Sequence, residues 1–261
     1  MKLCEMEGFS ENQPIAFIKF TAEKFAKELL DGKIYMKNCN FYRELEKSTC
    51  EKGRGDRFEG GHVVHINEPF DMYAEINGKE HLILSGDEVF VEEIYTGFKK
   101  TPIFCLFCLT AKDFKVRETI GKEGYVADIA VSKRLTNKMV DTFGEKAVVI
   151  SAPMFIKRLI EYSDETNAVF ISRLVKYVDF TKNQKERTAV ARSNEIEPLF
   201  TKDKYFTDQK EYRFCFPNIQ VEDSYEINIG SLSEFATIVD SKEVLSLGVI
   251  NNKLNLKKVA E

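Results

Sequence analysis

The order of strand-like and helix-like segments is the feature that most constrains the fold of this chain. An apolar run at residues 15–20 leads into an amphipathic helix pattern at residues 22–30. Two further helix patterns, at residues 132–143 and 153–162, flank a strand pattern at residues 147–150. Strands in both halves with helices between them predict an α+β fold. We expect a mixed, mostly antiparallel sheet or a split β-sandwich with flanking helices, rather than a doubly wound parallel sheet.

Short strands make up most of the remaining pattern. Residues 62–91 contain alternating runs separated by Asn-Gly and Ser-Gly, of which Asn77-Gly78 is the clearest hairpin turn. The apolar run at residues 103–109 predicts a buried strand, and its Cys105 and Cys108 are expected to be buried thiols rather than metal ligands. The other predicted strands are residues 33–36, 168–174, 175–180, 211–216, 225–229, 237–239 and 248–250.

Length and charge set the class of protein. With 261 residues, 43% of them hydrophobic, the chain is expected to form a single α+β domain over residues 1–261, with residues 1–14 as a flexible N-terminal segment. The 38 Lys and Arg against 42 Asp and Glu give a formal net charge of -4, so no whole-molecule field attracts nucleic acid or an anionic membrane. Without a membrane-length apolar run or a basic leader pattern, we predict a cytoplasmic protein with no membrane partner.

Residues 38–61 form a polar stretch rich in Gly and in both charges, without a clear period. A stretch of this length inside a compact domain is either a functional loop or disordered. The aromatic side chains in it, such as Phe41, Tyr42 and Phe58, favour a functional loop.

The most informative motif for function is Gln209-Lys210-Glu211, at the start of a strand pattern. Alternation in a strand would place Gln209, Glu211 and Arg213 on one face and the aromatic residues that follow Glu211 on the other. Without further context, such a strand could equally be half-exposed, with Glu211 or Arg213 in a cross-strand ion pair. The spacing is similar to the Gln-x-Glu signature of mono-ADP-ribosyltransferases.

Several segments, taken together, resemble an uncharacterised bacterial and phage-associated family over roughly residues 17–250. That family has an Asp-x-x-Glu motif, matched here by Asp56 and Glu59, and a C-terminal [Glu/Gln]-x-Glu-[Tyr/Trp]-Arg motif, in which this chain has Gln209 where Glu is common. The family in turn resembles distant mono-ADP-ribosyltransferase toxins. The segments that carry the resemblance are residues 18–20, 41–46, 55–60, 143–150, 175–179 and 200–214.

The resemblance implies NAD as a substrate and an ADP-ribosyltransferase-like fold. It implies that Glu211 holds the ribose and stabilises an oxocarbenium-like centre, while Gln209 orients the acceptor. A pyrophosphate requires a cation, and Arg54 is preferred because Gly53 and Gly55 flank it. The other expected cofactor-binding residues are Arg43, Arg57, Lys19, Asp56, Glu59 and Tyr42, with Phe41 and Phe58 as alternatives to Tyr42 for stacking on nicotinamide.

These expectations amount to an NAD-dependent mono-ADP-ribosyltransferase or NAD glycohydrolase, acting as an intracellular toxin or phage-defence effector. The acceptor, a protein or nucleic-acid target or water, stays open, and an antitoxin or other regulatory partner is implied. Two alternatives remain. One is a non-catalytic sensor or inhibitor module in phage–host conflict. The other is a metal-dependent nuclease with Asp56, Glu59, His62 and Glu211 as ligands.

Overall fold

The computed structural model describes residues 1–49, 53–66, 68–94, 96–120, 124–182, 196–246 and 248–250. Its α-helices are α1 (Glu23–Leu30), α2 (Cys39–Thr49), α3 (Lys133–Phe143) and α4 (Ala152–Thr166). Its strands are β1 (Pro14–Thr21), β2 (Lys33–Asn38), β3 (Gly61–Ile66), β4 (Phe70–Ile76), β5 (Lys79–Gly86), β6 (Val89–Ile94), β7 (Pro102–Thr110), β8 (Phe114–Ile120), β9 (Gly124–Ile129), β10 (Lys146–Ser151), β11 (Ile171–Leu174), β12 (Lys176–Val178), β13 (Thr201–Asp203), β14 (Glu211–Cys215), β15 (Ser224–Asn228), β16 (Ala236–Asp240) and β17 (Gly248–Ile250).

An eight-stranded sheet forms the centre of the fold. Six strands follow one another in the spatial order β11-β14-β7-β1-β10-β16, and β2, itself paired with β15, also pairs with β7. The register places Phe107 of β7 between Ile18 of β1 and Glu211 of β14. Every pair in this sheet is antiparallel, and among the described strands only β12 and β13 pair in parallel. The fold is therefore α+β with mostly antiparallel sheets, as predicted.

Both faces of the central sheet are covered. On one face, Phe17 and Phe214 pack against Leu29 of α1 and Phe155 of α4. On the other face, apolar side chains of β1, β7 and β10 pack against Phe114, Tyr125 and Met139, which come from β8, β9 and α3. The central strands are buried on both sides because each face has its own apolar cover, and this explains the continuous apolar run in β7.

The predicted hairpins lie outside the central sheet. Strands β4 and β5 pair with each other around Asn77 and Gly78, which both adopt positive φ, the backbone conformation that an Asn-Gly hairpin turn requires. Strand β3 pairs with β6 and thereby brackets that hairpin. The predicted helix at residues 132–143 is α3, in which Ser132 accepts a hydrogen bond from the backbone N–H of Leu135 and Gly144 ends the helix.

Two expectations need correction, and one hairpin was not predicted. The polar stretch at residues 38–61 is only partly a loop, because α2 occupies its first half. The helix was missed because one of its two buried residues, Cys39 and Arg43, is an arginine, so its buried face shows no apolar pattern in the sequence. Residues 1–13 pack against the fold, with Leu3 fully buried and the backbone N–H of Val116 donating to Met1. The hairpin of β8 and β9 was not predicted, since an irregularity between Val116 and Glu118 interrupts its alternation.

None of the helices in the described ranges has the length and apolar character needed to cross a membrane.

Candidate functional site

A cavity opens at the end of β14 where Glu211 lies. Its floor comes from β1 and β7, its sides come from α2 and α3, and the segment after α2 borders its mouth. Six residues expected to form the site line this cavity: Glu211, Gln209, Arg54, Tyr42, Lys19 and Glu59. Folding therefore brings together residues that are up to 192 positions apart in the sequence, between Lys19 and Glu211.

Strand β14 separates an apolar face from a charged face. Tyr212 and Phe214 point into the core beside α4, whereas Glu211 and Arg213 point to the opposite side. The expected open face is in fact buried, because Glu211 is only 7% exposed and Arg213 is fully buried. Gln209 is not part of the strand. It ends a 3-10 helix (Lys204–Gln209), and Lys210 then takes a left-handed conformation before β14 begins.

Glu211 belongs to a buried ion cluster. Its Oε1 accepts from Lys202 Nζ at 2.7 Å, and its Oε2 accepts from Arg213 Nη2 at 2.7 Å. Arg213 also binds both carboxylate oxygens of Glu59, at 2.5 and 3.2 Å, and donates to the carbonyl oxygen of Leu199. Two carboxylates and two cations thus share one network, in which each charge has a partner of opposite sign.

Lys202 connects this cluster to Gln209. Besides Glu211, its ammonium donates to Gln209 Oε1 at 3.0 Å and lies 4.3 Å from the centre of the Phe206 ring. The other end of the Gln209 amide donates to the carbonyl oxygen of Gly53 at 2.6 Å. Gln209 therefore fastens the glycine-rich segment that carries Arg54 to the ion cluster. Although Gln209 and Glu211 do not share a strand face, both converge on the same ammonium group.

The cluster fixes the charge state of Glu211. Burial alone would raise the pKa of its carboxyl group, but the attraction of Lys202 and Arg213 lowers it to about 2. Burial likewise opposes the charged form of Lys202, yet Glu211, Glu59 and Asp56 raise its pKa above the usual value for a lysine. Glu211 is consequently an anion over the whole physiological pH range.

Two cations stand at the mouth of the cavity without a carboxylate partner in the described residues. Lys19 Nζ donates to the carbonyl oxygen of Cys105 at 2.9 Å and lies 4.8 Å from the centre of the Phe104 ring. Burial lowers the pKa of Lys19. Arg54 is exposed, and among the described residues its guanidinium makes no hydrogen bond or ion pair. These two groups are the ones in the cavity that a ligand anion could bind directly.

Three expected cofactor-binding residues lie elsewhere. Arg43 is buried beneath α2, where its Nε donates to the carbonyl oxygen of Glu59, so it cannot reach a ligand in the cavity. Asp56 is buried behind the cluster, 3.9 Å from Lys202 Nζ, and burial raises the pKa of its carboxyl group to about 7. Arg57 points outward over the ring of Phe58, which itself packs in a separate apolar cluster. The flanking glycines set Arg54 apart in the sequence, but no local pattern showed that Arg43 and Asp56 are buried or that Arg57 points away from the cavity.

The metal-site alternative has no geometric support in the part of the chain that the structure describes. No group of three or more His, Cys, Asp or Glu side chains there is arranged to hold a metal ion. Glu59 and Glu211 are instead neutralised by Arg213 and Lys202, which occupy the space that a cation would need.

Two residues of the site could not be identified from the sequence. Lys202 lies in β13, a three-residue strand whose pattern carries no apolar period, and a lysine is ordinarily taken for a surface residue. The hydroxyl of Tyr177 accepts a hydrogen bond from the backbone N–H of Glu211 at 2.8 Å. The alternating pattern around Glu211 and the resemblance over residues 175–179 and 200–214 pointed to this region, but neither gave Lys202 or Tyr177 a role.

Comparison of the chain with protein-family models, with curated proteins and with solved structures finds no match. A fixed carboxylate, an amide and the cations Lys19 and Arg54 surround one cavity, with Tyr42, Phe20 and Phe143 as aromatic walls. Such a cavity is suited to a ligand that has both an aromatic ring and an anionic group.

Proposed function

We propose that this protein is an NAD-dependent mono-ADP-ribosyltransferase or NAD glycohydrolase with an ADP-ribosyltransferase-like fold. The observation that carries the proposal is the convergence of Glu211, Gln209, Lys19, Tyr42 and Arg54 on one cavity. In this proposal Tyr42 contacts the nicotinamide ring, Glu211 contacts the adjoining ribose, and Lys19 and Arg54 bind the pyrophosphate. An intracellular toxin or phage-defence role, with an antitoxin or other regulator as partner, belongs to the same proposal.

The reaction would use the fixed negative charge of Glu211. The bond between ribose C1′ and the nicotinamide nitrogen breaks with both electrons moving to the ring nitrogen, which neutralises its positive charge. The positive charge that then develops on the ribose lies beside a carboxylate whose pKa is held near 2. An oxygen or nitrogen atom of the acceptor bonds to C1′ and releases its proton to solvent. Gln209 donates or accepts a hydrogen bond but takes no proton.

A second candidate function has an observation of its own. Both carboxylate oxygens of Glu211 already accept hydrogen bonds from Lys202 and Arg213. This arrangement would equally serve a non-catalytic module in which the ion cluster holds the cavity open and Lys19 and Arg54 bind a phosphorylated ligand. The two candidates differ in one respect, since only the first breaks the nicotinamide bond.

The decisive test is nicotinamide release from NAD by the purified protein, and transfer of radiolabelled ADP-ribose to acceptors in a cell extract. We expect Glu211→Gln to lower both rates by about a hundredfold or more, because it removes the charge at nearly constant shape. Glu118→Gln, at an exposed position of β8, is the matched control and should leave both rates unchanged. Circular dichroism would verify that both variants are folded.

A second variant keeps the test decisive if Glu211→Gln does not fold. Gln209→Ala leaves every charge of the cluster in place and should lower transfer to acceptors more than hydrolysis. If the wild-type protein neither hydrolyses NAD nor labels an acceptor, the transferase proposal fails. Binding of NAD without turnover would then favour the non-catalytic module.

A further inference from the structure

A groove continues from the cavity across β2 to α1. The cavity and the groove share Lys19, Phe20, Tyr42, Arg54 and Phe143, so one open path joins them. The role proposed for Glu211 does not account for the outer part of this groove, which is the larger of the two spaces.

Strand β2 supplies the floor of the groove through its alternation. Ile34 and Met36 are buried in the core, whereas Lys33, Tyr35 and Lys37 point to the opposite side and line the groove. Cationic and aromatic side chains therefore alternate along one edge of the groove at the spacing of a strand.

Three of the aromatic side chains that line the groove are exposed to solvent rather than packed in the core. Phe25 is 54% exposed, Tyr35 is 47% exposed and Phe41 is 36% exposed. The ammonium of Lys37 lies 4.8 Å from the centre of the Phe41 ring and 5.7 Å from that of Tyr35. These rings keep open surface on which a flat ligand group can stack.

Most of the charged side chains that line the groove are cations. Its described lining contains four cations and a single carboxylate, Glu28, although the whole chain carries a net charge of -4. Lys33 pairs with Glu226 and Lys37 pairs with Asp223, but the carboxylates of both pairs are exposed to solvent, and an ion pair at the surface contributes little. The four cations are Lys19, Lys33, Lys37 and Arg54.

We propose that this groove binds single-stranded nucleic acid, with unpaired bases stacked on Tyr35 and Phe41 and backbone phosphates on Lys33 and Lys37, which flank Tyr35 on β2. Alternating rings and cations are what a single strand requires, since every base has an aromatic face and every nucleotide has a phosphate. A duplex would not stack on these rings, because the faces of its bases are already covered by neighbouring bases. The overall negative charge limits the electrostatic contact to the few phosphates within the groove.

Because the groove leads into the cavity, a bound strand would be placed to act as the acceptor. This acceptor role rests on the proposed transferase activity. A strand bound along β2 would lead into the cavity past Lys19 and Arg54, which brings one of its bases or its terminal phosphate to Glu211. The strand would then be the acceptor of ADP-ribose. Binding of the strand itself does not depend on that activity.

The test measures the fluorescence anisotropy of a labelled 12-nucleotide single strand, as DNA and as RNA, titrated with the full-length protein. We expect saturable binding that weakens with salt, and weaker binding of the duplex of the same sequence. Tyr35→Ala should raise the dissociation constant at least fivefold, the low end for loss of one stacked base. Tyr73→Ala, which removes a ring of similar exposure from the β4–β5 hairpin, is the matched control and should change the dissociation constant less than twofold.

Three outcomes would overturn the proposal: no binding of either strand, equal loss with Tyr35→Ala and Tyr73→Ala, or equal displacement of the strand by a polyglutamate peptide. The last result would mean that the groove accepts any extended anion. Failure of the transferase proposal is recognised separately from NAD turnover. Strand binding without NAD turnover would support the groove as a nucleic-acid site and overturn the acceptor role.

Discussion

The ion cluster around Glu211 buries charged side chains, whereas the β4–β5 hairpin exposes apolar side chains to solvent. In the cluster, Arg213 is fully buried and Lys202 is 4% exposed. In the hairpin, Leu82 and Ile83 are 55% and 57% exposed. The comparison shows that contacts, rather than residue type, decide which side chains support this fold.

The physical reasons differ between the two regions. Charges can remain buried in the cluster because each has a hydrogen-bonded partner of opposite sign, whereas removal of one partner would leave a charge stranded in the interior. The hairpin strands, among the described residues, hydrogen-bond only with each other. Their side chains bury little surface, so they contribute little to the free energy of unfolding.

The largest effect is expected from Arg213→Met. This change removes the guanidinium but keeps a side chain of similar length. Glu59 then loses two hydrogen bonds from Arg213, and Glu211 loses one. We expect the free energy of unfolding to fall by about 3 to 5 kcal/mol, because buried Glu59 loses its hydrogen-bonded cation and Glu211 keeps only Lys202. Urea denaturation followed by circular dichroism measures this quantity.

Arg117→Met is the matched control for that change. Arg117 lies in β8 and pairs with Asp128 at 2.9 Å, but the two side chains are 48% and 36% exposed. An exposed pair contributes roughly 1 kcal/mol or less, so the control should cost no more than that. Similar losses for both variants would show that the buried cluster is no more important to stability than a surface ion pair.

A smaller effect is expected from Asp56→Asn, and it should depend on pH. Burial raises the pKa of Asp56 to about 7 from an ordinary value of 3.8, so the folded state holds this proton more tightly than the unfolded state. The stability that Asp56 contributes is therefore fully present below pH 3.8 and is lost as the pH rises to about 7. The asparagine cannot ionise, and it can still accept the hydrogen bond from the backbone N–H of Phe58.

The stability of the wild type relative to Asp56→Asn should accordingly fall by about 1 to 3 kcal/mol between pH 5 and pH 8. Urea denaturation of both proteins at four pH values gives this difference. Asp141→Asn, an exposed substitution in α3, is the control and should show no such trend. A constant difference between wild type and Asp56→Asn would mean that Asp56 stays ionised through its contact with Lys202.

The same two regions show which parts of the structure could be predicted from the sequence. The hairpin was predictable because its turn is chemically explicit at Asn77-Gly78, and β1, β7 and β10 were predictable because they are continuous apolar runs. The apolar face of β14, with Tyr212 and Phe214, was likewise correctly assigned to the core.

The interior of the site was not predictable in the same way. Arg43 and Lys202 are buried, yet in the sequence they have the chemistry of surface residues, so helix α2 and strand β13 were missed. Gln209 was assigned to the strand because alternation in sequence says nothing of the left-handed turn at Lys210. Buried charges are stabilised by partners that are distant in the sequence, and a local sequence pattern does not reveal such partners.

The smallest effect is expected from Leu82→Thr in the hairpin. Threonine suits a strand, and a side chain that is 55% exposed has little burial to lose, so the free energy of unfolding should change by no more than about 0.5 kcal/mol. Leu109→Thr in β7 is the contrast, because Leu109 is fully buried and a polar, smaller side chain there should cost about 2 to 5 kcal/mol. Urea denaturation of both variants gives the comparison. If Leu82→Thr costs as much as Leu109→Thr, the hairpin is packed against another surface in solution, and its exposed side chains support the fold after all.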